Sequence, residues 1–182
     1  GRAERLERIE GHSDEVSSLA FSKDGTFLAS ASMDGSAALW KIPELTELRR
    51  FTHPSIVYSV CFSHDGRLLA SGAGDCAIRL WDVALGTEVH QIREHTGAVF
   101  AVAFSSVRGF LASGSNDRTV RLWNLVQRQE VKTLTGHPSQ AHRVAYHPNG
   151  TLIASSGHQD AHYPTEHNID EPHRLTQIMV SA

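Results

Sequence analysis

Cysteine, methionine and long apolar runs are all scarce in this 182-residue chain. Two cysteines, Cys61 and Cys76, are too few for a disulfide framework. Each falls inside an apolar strand pattern, so both are expected as buried thiols of a reducing compartment. No stretch approaches the roughly 18 apolar residues of a membrane span, and no signal peptide opens the sequence. An intracellular, cytoplasmic or nuclear location is therefore expected. Charge of one sign is lacking too. Lys and Arg number 17 against 20 Asp and Glu, a formal net charge of −3 with no block of like charge. Nothing electrostatic calls for nucleic acid or an anionic membrane surface. No interval sustains a helical period of apolar residues. A glycine stands first where methionine is usual, which reads as a processed or partial chain.

What the chain does contain is repetition. "LASASMDGSAALWK" from Leu28, "LASGAGDCAIRLWD" from Leu69 and "LASGSNDRTVRLWN" from Leu111 are near copies. His12, His53, His95 and His137 are separated by 41, 42 and 42 residues, and Trp40, Trp81 and Trp123 by 41 and 42. Offsets within each unit hold as well. Nine residues after the histidine stands an aromatic: Phe21, Phe62, Phe104 and Tyr146. Offsets 17 and 18 hold Ala-Ser in all four units, and offset 22 holds Asp34, Asp75 and Asp117 in the first three. Such a period marks an array of supersecondary units.

Each unit reads as strands. "VSSLAF", "VYSVCF" and "VFAVAF" are short β-rich runs, while "SKDG", "SHDG" and "HPNG" supply turn chemistry. A second apolar run leads to the aspartate turn, a third ends in tryptophan, and a fourth ("EVHQI", "EVKTL") precedes the next histidine. An all-β protein follows.

With GH-type openings at "GHSDEV", "EHTGAV" and "GHPSQA" and closing "LWK", "LWD" and "LWN", the chain resembles WD40 repeats. The family builds β-propellers from four-stranded antiparallel blades. The resemblance implies repeats over 1–157: an orphan strand d over 3–10, then units 11–52, 53–94, 95–135 and a partial 136–157. Only Trp81-Asp82 carries the literal dipeptide, and Thr52 and Glu94 replace the glycine before two histidines. In the fourth unit Gln159 stands where aspartate is due, Asp160 is one residue late, and no tryptophan follows. Residues 158–182, with two prolines and no alternation, read as an irregular tail. Three complete units and one partial fall short of a common ring of about 4–8 blades, so an incomplete propeller is expected. Its uncovered blade face and unpaired strand edges favour self-association.

In the family, the histidine, serine, aspartate and tryptophan of one blade form a buried hydrogen-bonded network. The resemblance implies His12/Ser30/Asp34/Trp40, His53/Ser71/Asp75/Trp81 and His95/Ser113/Asp117/Trp123. A buried carboxylate needs donors, and imidazole, hydroxyl and indole N–H supply them. Repeated at a fixed period, a Ser/His/Asp group holds blades together rather than cleaving substrates, so no enzyme is expected.

Other signals are weaker. "GAGDCA" at Gly72–Ala77 fits a loose dinucleotide fingerprint but precedes no helix that could present N–H groups to phosphate. His158, His162, His167 and His173 have irregular spacing, so neither metal nor other cofactor is expected. Asn149-Gly150-Thr151 is a formal sequon, yet Asn-Gly suits a hairpin turn. No arginine follows Trp81-Asp82 at the spacing of ubiquitin-ligase receptors.

The family acts as a rigid, non-catalytic scaffold or adaptor that binds other proteins or peptides on the top face. Its contact offsets fall three and five residues after the histidine and one before the aspartate. Here these are Glu15, Ser17 and Met33; Ile56, Tyr58 and Gly74; and Ala98, Phe100 and Asn116. Tyr58 and Phe100 share an offset in adjacent units, so both are expected at the channel rim, unless one ring fills the channel mouth. A second reading makes the chain the sensor repeats of a larger protein such as a nucleotide-dependent signalling ATPase.

Overall fold

The structure is a computed structural model describing residues 9–107 and 109–157 and the backbone of 177–181. Among the described residues every regular element is a β-strand. The first blade is β1 (Val16–Phe21), β2 (Phe27–Ser32), β3 (Ser36–Lys41) and β4 (Thr46–Thr52). The second is β5 (Val57–Phe62), β6 (Leu68–Ala73), β7 (Ile78–Asp82) and β8 (Glu88–Ile92). The third is β9 (Val99–Phe104), β10 (Phe110–Ser115), β11 (Val120–Asn124) and β12 (Gln129–Leu134). The fourth holds β13 (Ala141–Tyr146), β14 (Ile153–Gly157) and β15 (Gln177–Ser181). Each sheet runs in sequence order with antiparallel neighbours, and the ring is not closed.

Tight turns between the first two strands of a blade set these hairpins. Gly25, Gly66 and Gly150 take φ of 74°, 70° and 74°, a left-handed conformation that costs glycine little. In each, the glycine N–H returns to the carbonyl at the turn's start: Ser22, Ser63 and His147.

The core lies between blades. Ala29, Ala31, Ala37, Leu39 and Phe51 of blade 1 pack with Val57, Val60, Leu69, Trp81 and Val83 of blade 2. Ala70, Ile78, Leu80 and Ile92 of blade 2 meet Val99, Val102, Leu111 and Trp123 of blade 3. Innermost strands are neighbours from blade to blade: β1 with β5, β5 with β9, β9 with β13.

Three expectations need correction or bounding. The tail read as irregular contains β15, which pairs with β14 from Ile153↔Ser181 to Gly157↔Gln177 and gives the partial fourth unit a third strand. Sheet pairing, not local alternation, makes that strand. Cys76 is not in a strand: it has φ 65° in the turn between β6 and β7, whereas Cys61 lies in β5. The orphan strand over 3–10 falls outside the described residues through position 8, as do Gln159, Asp160, His158, His162, His167 and His173.

Candidate protein-binding face

The buried networks support the face from below. In blade 1 the Trp40 indole N–H donates to Ser30 Oγ at 2.8 Å, and the Ser30 hydroxyl lies 2.7 Å from His12 Nε2. His12 Nδ1 reaches Asp34 Oδ2 at 2.9 Å. These partners select one chain of donors, from Trp through Ser and neutral His to the carboxylate. Blade 3 repeats it: Trp123 to Ser113 at 2.9 Å, Ser113 to His95 at 2.7 Å, His95 to Asp117 at 2.7 Å.

Each aspartate then closes its loop. Ser13 N–H donates to Asp34, and Thr96 N–H to Asp117, both at 3.1 Å. Ser36 and Thr119, two residues beyond the aspartates, donate from both backbone and hydroxyl. Burial alone would raise Asp34, but the bonds from Ser36, His12 and Ser13 hold it well below the usual carboxylate range. For Asp117 burial is likewise outweighed, by Thr119 and His95, and the carboxyl is lowered to about 2.

Blade 2 departs from the expected set. His53 and Trp81 meet at Ser71, at 2.8 and 2.9 Å, but His53 Nδ1 donates to the Phe51 carbonyl at 3.0 Å instead of to Asp75. Asp75 is held by Arg79, at 3.0 and 2.5 Å. The cause is local chemistry. Pro54 follows His53 and has no N–H to offer the carboxylate, and Ala77 stands where the other blades carry Ser36 or Thr119. Arg79, itself buried, supplies the missing donors. Burial and the Arg79 charge lower the His53 imidazole to about 4. In blade 4, His137 Nε2 meets Ser155 Oγ at 2.8 Å, while its buried Nδ1 has no partner among the described residues.

Above these networks the offset-five residues sit on a repeated irregularity. In β5 the register passes from Val57↔Ala73 to Ser59↔Gly72, so Tyr58 has no opposite residue. Equivalent shifts set Ser17, Phe100 and His142 at the same bulge position of their strands. A β-bulge re-aims the extra side chain. Here it brings the column together across blades. Tyr58 and Phe100 meet edge to face with centroids 4.9 Å apart, and Phe100 stacks on His142 at 4.8 Å and 7°. Ser17 Oγ donates to the Val57 carbonyl at 2.6 Å.

The other expected positions lie at the same end of each blade. Met33 N–H donates to the Glu15 carbonyl, Gly74 to Ile56, and Asn116 to Ala98, each at 2.9 Å. Glu15, Met33 and Asn116 are exposed, and Ile56, Tyr58, Ala98 and Phe100 are half-buried. His142 was not among the expected contacts, although extending offset five to the fourth unit reaches it. Arg79 was missed too, because nothing in the repeat marks an arginine as the aspartate's partner. At the opposite end of the strands a cleft of about 310 Å³ is lined by Phe21, Phe62, Phe104 and Tyr146, with Lys23 and His64 at hydrogen-bond distance, 2.6 Å. Among the described residues no cluster of ligating side chains could hold a metal, and no helix is long and apolar enough to cross a membrane.

Known proteins share this architecture. A solved structure described as "Structure of U3-55K" superposes with a TM-score of 0.78 and 26% identity, covering 84% of this chain and 48% of that one. "Crystal structure of RRP9 WD40 repeats" gives 0.77 and 26%, with the same coverage. The chain thus spans about half the length of these structures. "Probable cytosolic iron-sulfur protein assembly protein 1" of Vanderwaltozyma polyspora is 52% identical over 44 residues, 24% of this chain and 13% of that protein. The model of the WD domain, G-beta repeat, matches residues 3–41, 45–82, 86–124 and 128–162, so the chain belongs to the WD40 repeat family.

Proposed function

We propose that the chain is a non-catalytic scaffold that docks a partner protein or peptide on the end of the blades carrying Tyr58 and Phe100. The observation that supports it best is the continuous Tyr58–Phe100–His142 column, presented by bulges in three adjacent blades. Half-buried rings rimmed by exposed Met33, Glu15 and Asn116 make an apolar centre with a polar edge, the arrangement binding surfaces use. A net charge of −3 without a basic stripe favours protein over nucleic acid. Self-association through the open ends of the array belongs to the same reading, as does an intracellular setting. The 44 residues shared with the iron-sulfur assembly protein equal about one repeat period, so they support the repeat and not a role in cluster assembly.

Peptides selected from a displayed random library on the wild-type chain test this reading. Binding should fall at least about tenfold in the Tyr58→Ala/Phe100→Ala variant, the loss of about 1.4 kcal/mol or more. It should be unchanged in Lys23→Ala/His64→Ala at the opposite end. The lost ring pair should cost only roughly 0.5–1.5 kcal/mol of stability, a melting shift of a few degrees. Unchanged peptide binding, or global unfolding of the double variant, refutes the site.

A further inference from the structure

The aromatic at offset nine serves neither the buried networks nor the proposed peptide face, yet it recurs in every unit. Phe62 packs against the core shared by blades 1 and 2, and Phe104 against that of blades 2 and 3. With Phe21 and Tyr146 these rings wall the cleft of about 310 Å³ at the far end of the strands. Small-ligand sites run from roughly 300 to 1,000 Å³, are mostly apolar and carry a few placed polar groups. The cleft fits the lower end of that range, room for one ring and a short polar group.

Its free hydrogen-bonding capacity is all donor. Lys23 and His64 occupy offset eleven of adjacent units, and Lys23 Nζ donates to His64 Nε2 at 2.6 Å. The His64 ring hydrogen therefore sits on Nδ1. Asn149 N–H donates to His147 Nδ1 at 3.2 Å, which leaves that ring's hydrogen on Nε2. Tyr146 adds a hydroxyl that burial keeps protonated, its ionisation pushed up to about 12. Among the described residues none of these ring and hydroxyl hydrogens has an acceptor. The serine hydroxyls of the lining are engaged internally: Ser63 on Asp65, Ser105 on the Gly150 carbonyl, Ser106 on the Pro148 carbonyl. Among the described residues no carboxylate lines the cleft. Those nearest in sequence face their own turns, Asp24 accepting from Ser22 and Thr26, Asp65 from Ser63 and Arg67.

We propose that this cleft binds a small aromatic carboxylate, its ring among Phe62, Phe104 and Tyr146 and its charge on the Lys23–His64 pair. A carboxylate accepts from both members of the pair, and bonds to an ionised donor are the strong ones. The bond between Lys23 and His64 holds the two side chains together before a ligand arrives, so less order has to be imposed on binding. Lys23 is the lining's one lysine or arginine among the described residues, so a single negative charge is matched and the second charge of a phosphate is not. Ring walls without a carboxylate also disfavour a bare hydrophilic anion, which would gain nothing from them. The site lies at the opposite end of the strands from Tyr58 and Phe100 and is independent of the peptide face.

An amide-resolved NMR titration of the full 182-residue chain with phenylacetate should give saturable shifts around the cleft, with a Kd of about 1 mM or tighter. Phenylacetamide, which lacks the charge, and acetate, which lacks the ring, should each bind at least about tenfold more weakly. Lys23→Met should weaken phenylacetate about tenfold and leave phenylacetamide unchanged, a split that a folding defect would not produce. Lys23 is exposed, so the melt of this variant should stay as in wild type. The Tyr58→Ala/Phe100→Ala variant should bind phenylacetate as wild type does, which separates failure here from failure of the peptide face. Equal affinity for acid and amide, or phenyl phosphate bound more tightly than phenylacetate, refutes the carboxylate. Shifts centred away from the cleft, or no saturation by about 10 mM, refutes the site.

Discussion

The contrast between blades 2 and 3 can be measured as a coupling energy. Replacing Asp117 by alanine removes the acceptor of His95 Nδ1, whose side chain is 1% exposed, and of two donors on Thr119. The Thr96 and Thr119 donors lie nearer solvent and recover water, whereas the imidazole N–H does not. One buried orphaned donor costs roughly 1–3 kcal/mol, and most of it should vanish once His95 is also alanine. The double-mutant cycle of Asp117→Ala and His95→Ala should therefore give a coupling of about 1–2 kcal/mol. In blade 2 the carboxylate serves Arg79, so Asp75→Ala is destabilising in its own right, by leaving a buried guanidinium without its bidentate partner. Its coupling to His53→Ala should stay below about 0.5 kcal/mol, because no bond joins the two side chains. Urea midpoints at pH 7.5 and one protein concentration supply the energies, read by the fluorescence of Trp40, Trp81 and Trp123 with unchanged m-values. Equal coupling in the two blades, or none in blade 3, would refute the assignment of Pro54, Ala77 and Arg79 as the cause of the difference.

Two further outcomes are expected. Burial lowers His53 to about 4 from an ordinary 6.5, so the unfolded chain binds more protons between these values. Stability is then full above pH 6.5 and falls as pH drops toward 4, by up to about 3 kcal/mol from this residue, with His95 and His137 shifted in the same direction by burial. Urea midpoints that stay level or rise from pH 6.5 to 4.5 would contradict it. Desolvation also pushes the half-buried Cys61 thiol up to about 12, so in the native chain it should react with a thiol-specific disulfide reagent at pH 8 far more slowly than after unfolding. Native labelling of Cys61 as fast as in the unfolded chain, located by peptide mapping, would count against this shielding.

Much of the architecture was legible in residue order because a repeat declares its own registration. The histidine-to-histidine period of 41–42, the aromatic at offset nine and the Ala-Ser pair at offsets 17 and 18 locate the strands of the first three units, and the first two of the fourth, without reference to any partner. The alternation that buries Val57 and Val99 is likewise local, since a strand's period places those residues on one face. Contacts across units were not legible in this way. That His53 turns from Asp75 to the Phe51 carbonyl depends on Pro54, Ala77 and Arg79 competing for one carboxylate, and sequence spacing cannot weigh donors against each other. That Tyr58, Phe100 and His142 touch depends on a bulge in each strand and on the distance between blades, both set by packing. That Gln177–Ser181 joins Ile153–Gly157 is a long-range pairing, in which backbone hydrogen bonds to an existing edge override weak local alternation. Order along the chain determined which residues form the first three blades; tertiary packing decided which of them meet and what completes the fourth, because hydrogen bonds and ring contacts depend on distances that only the assembled blades create.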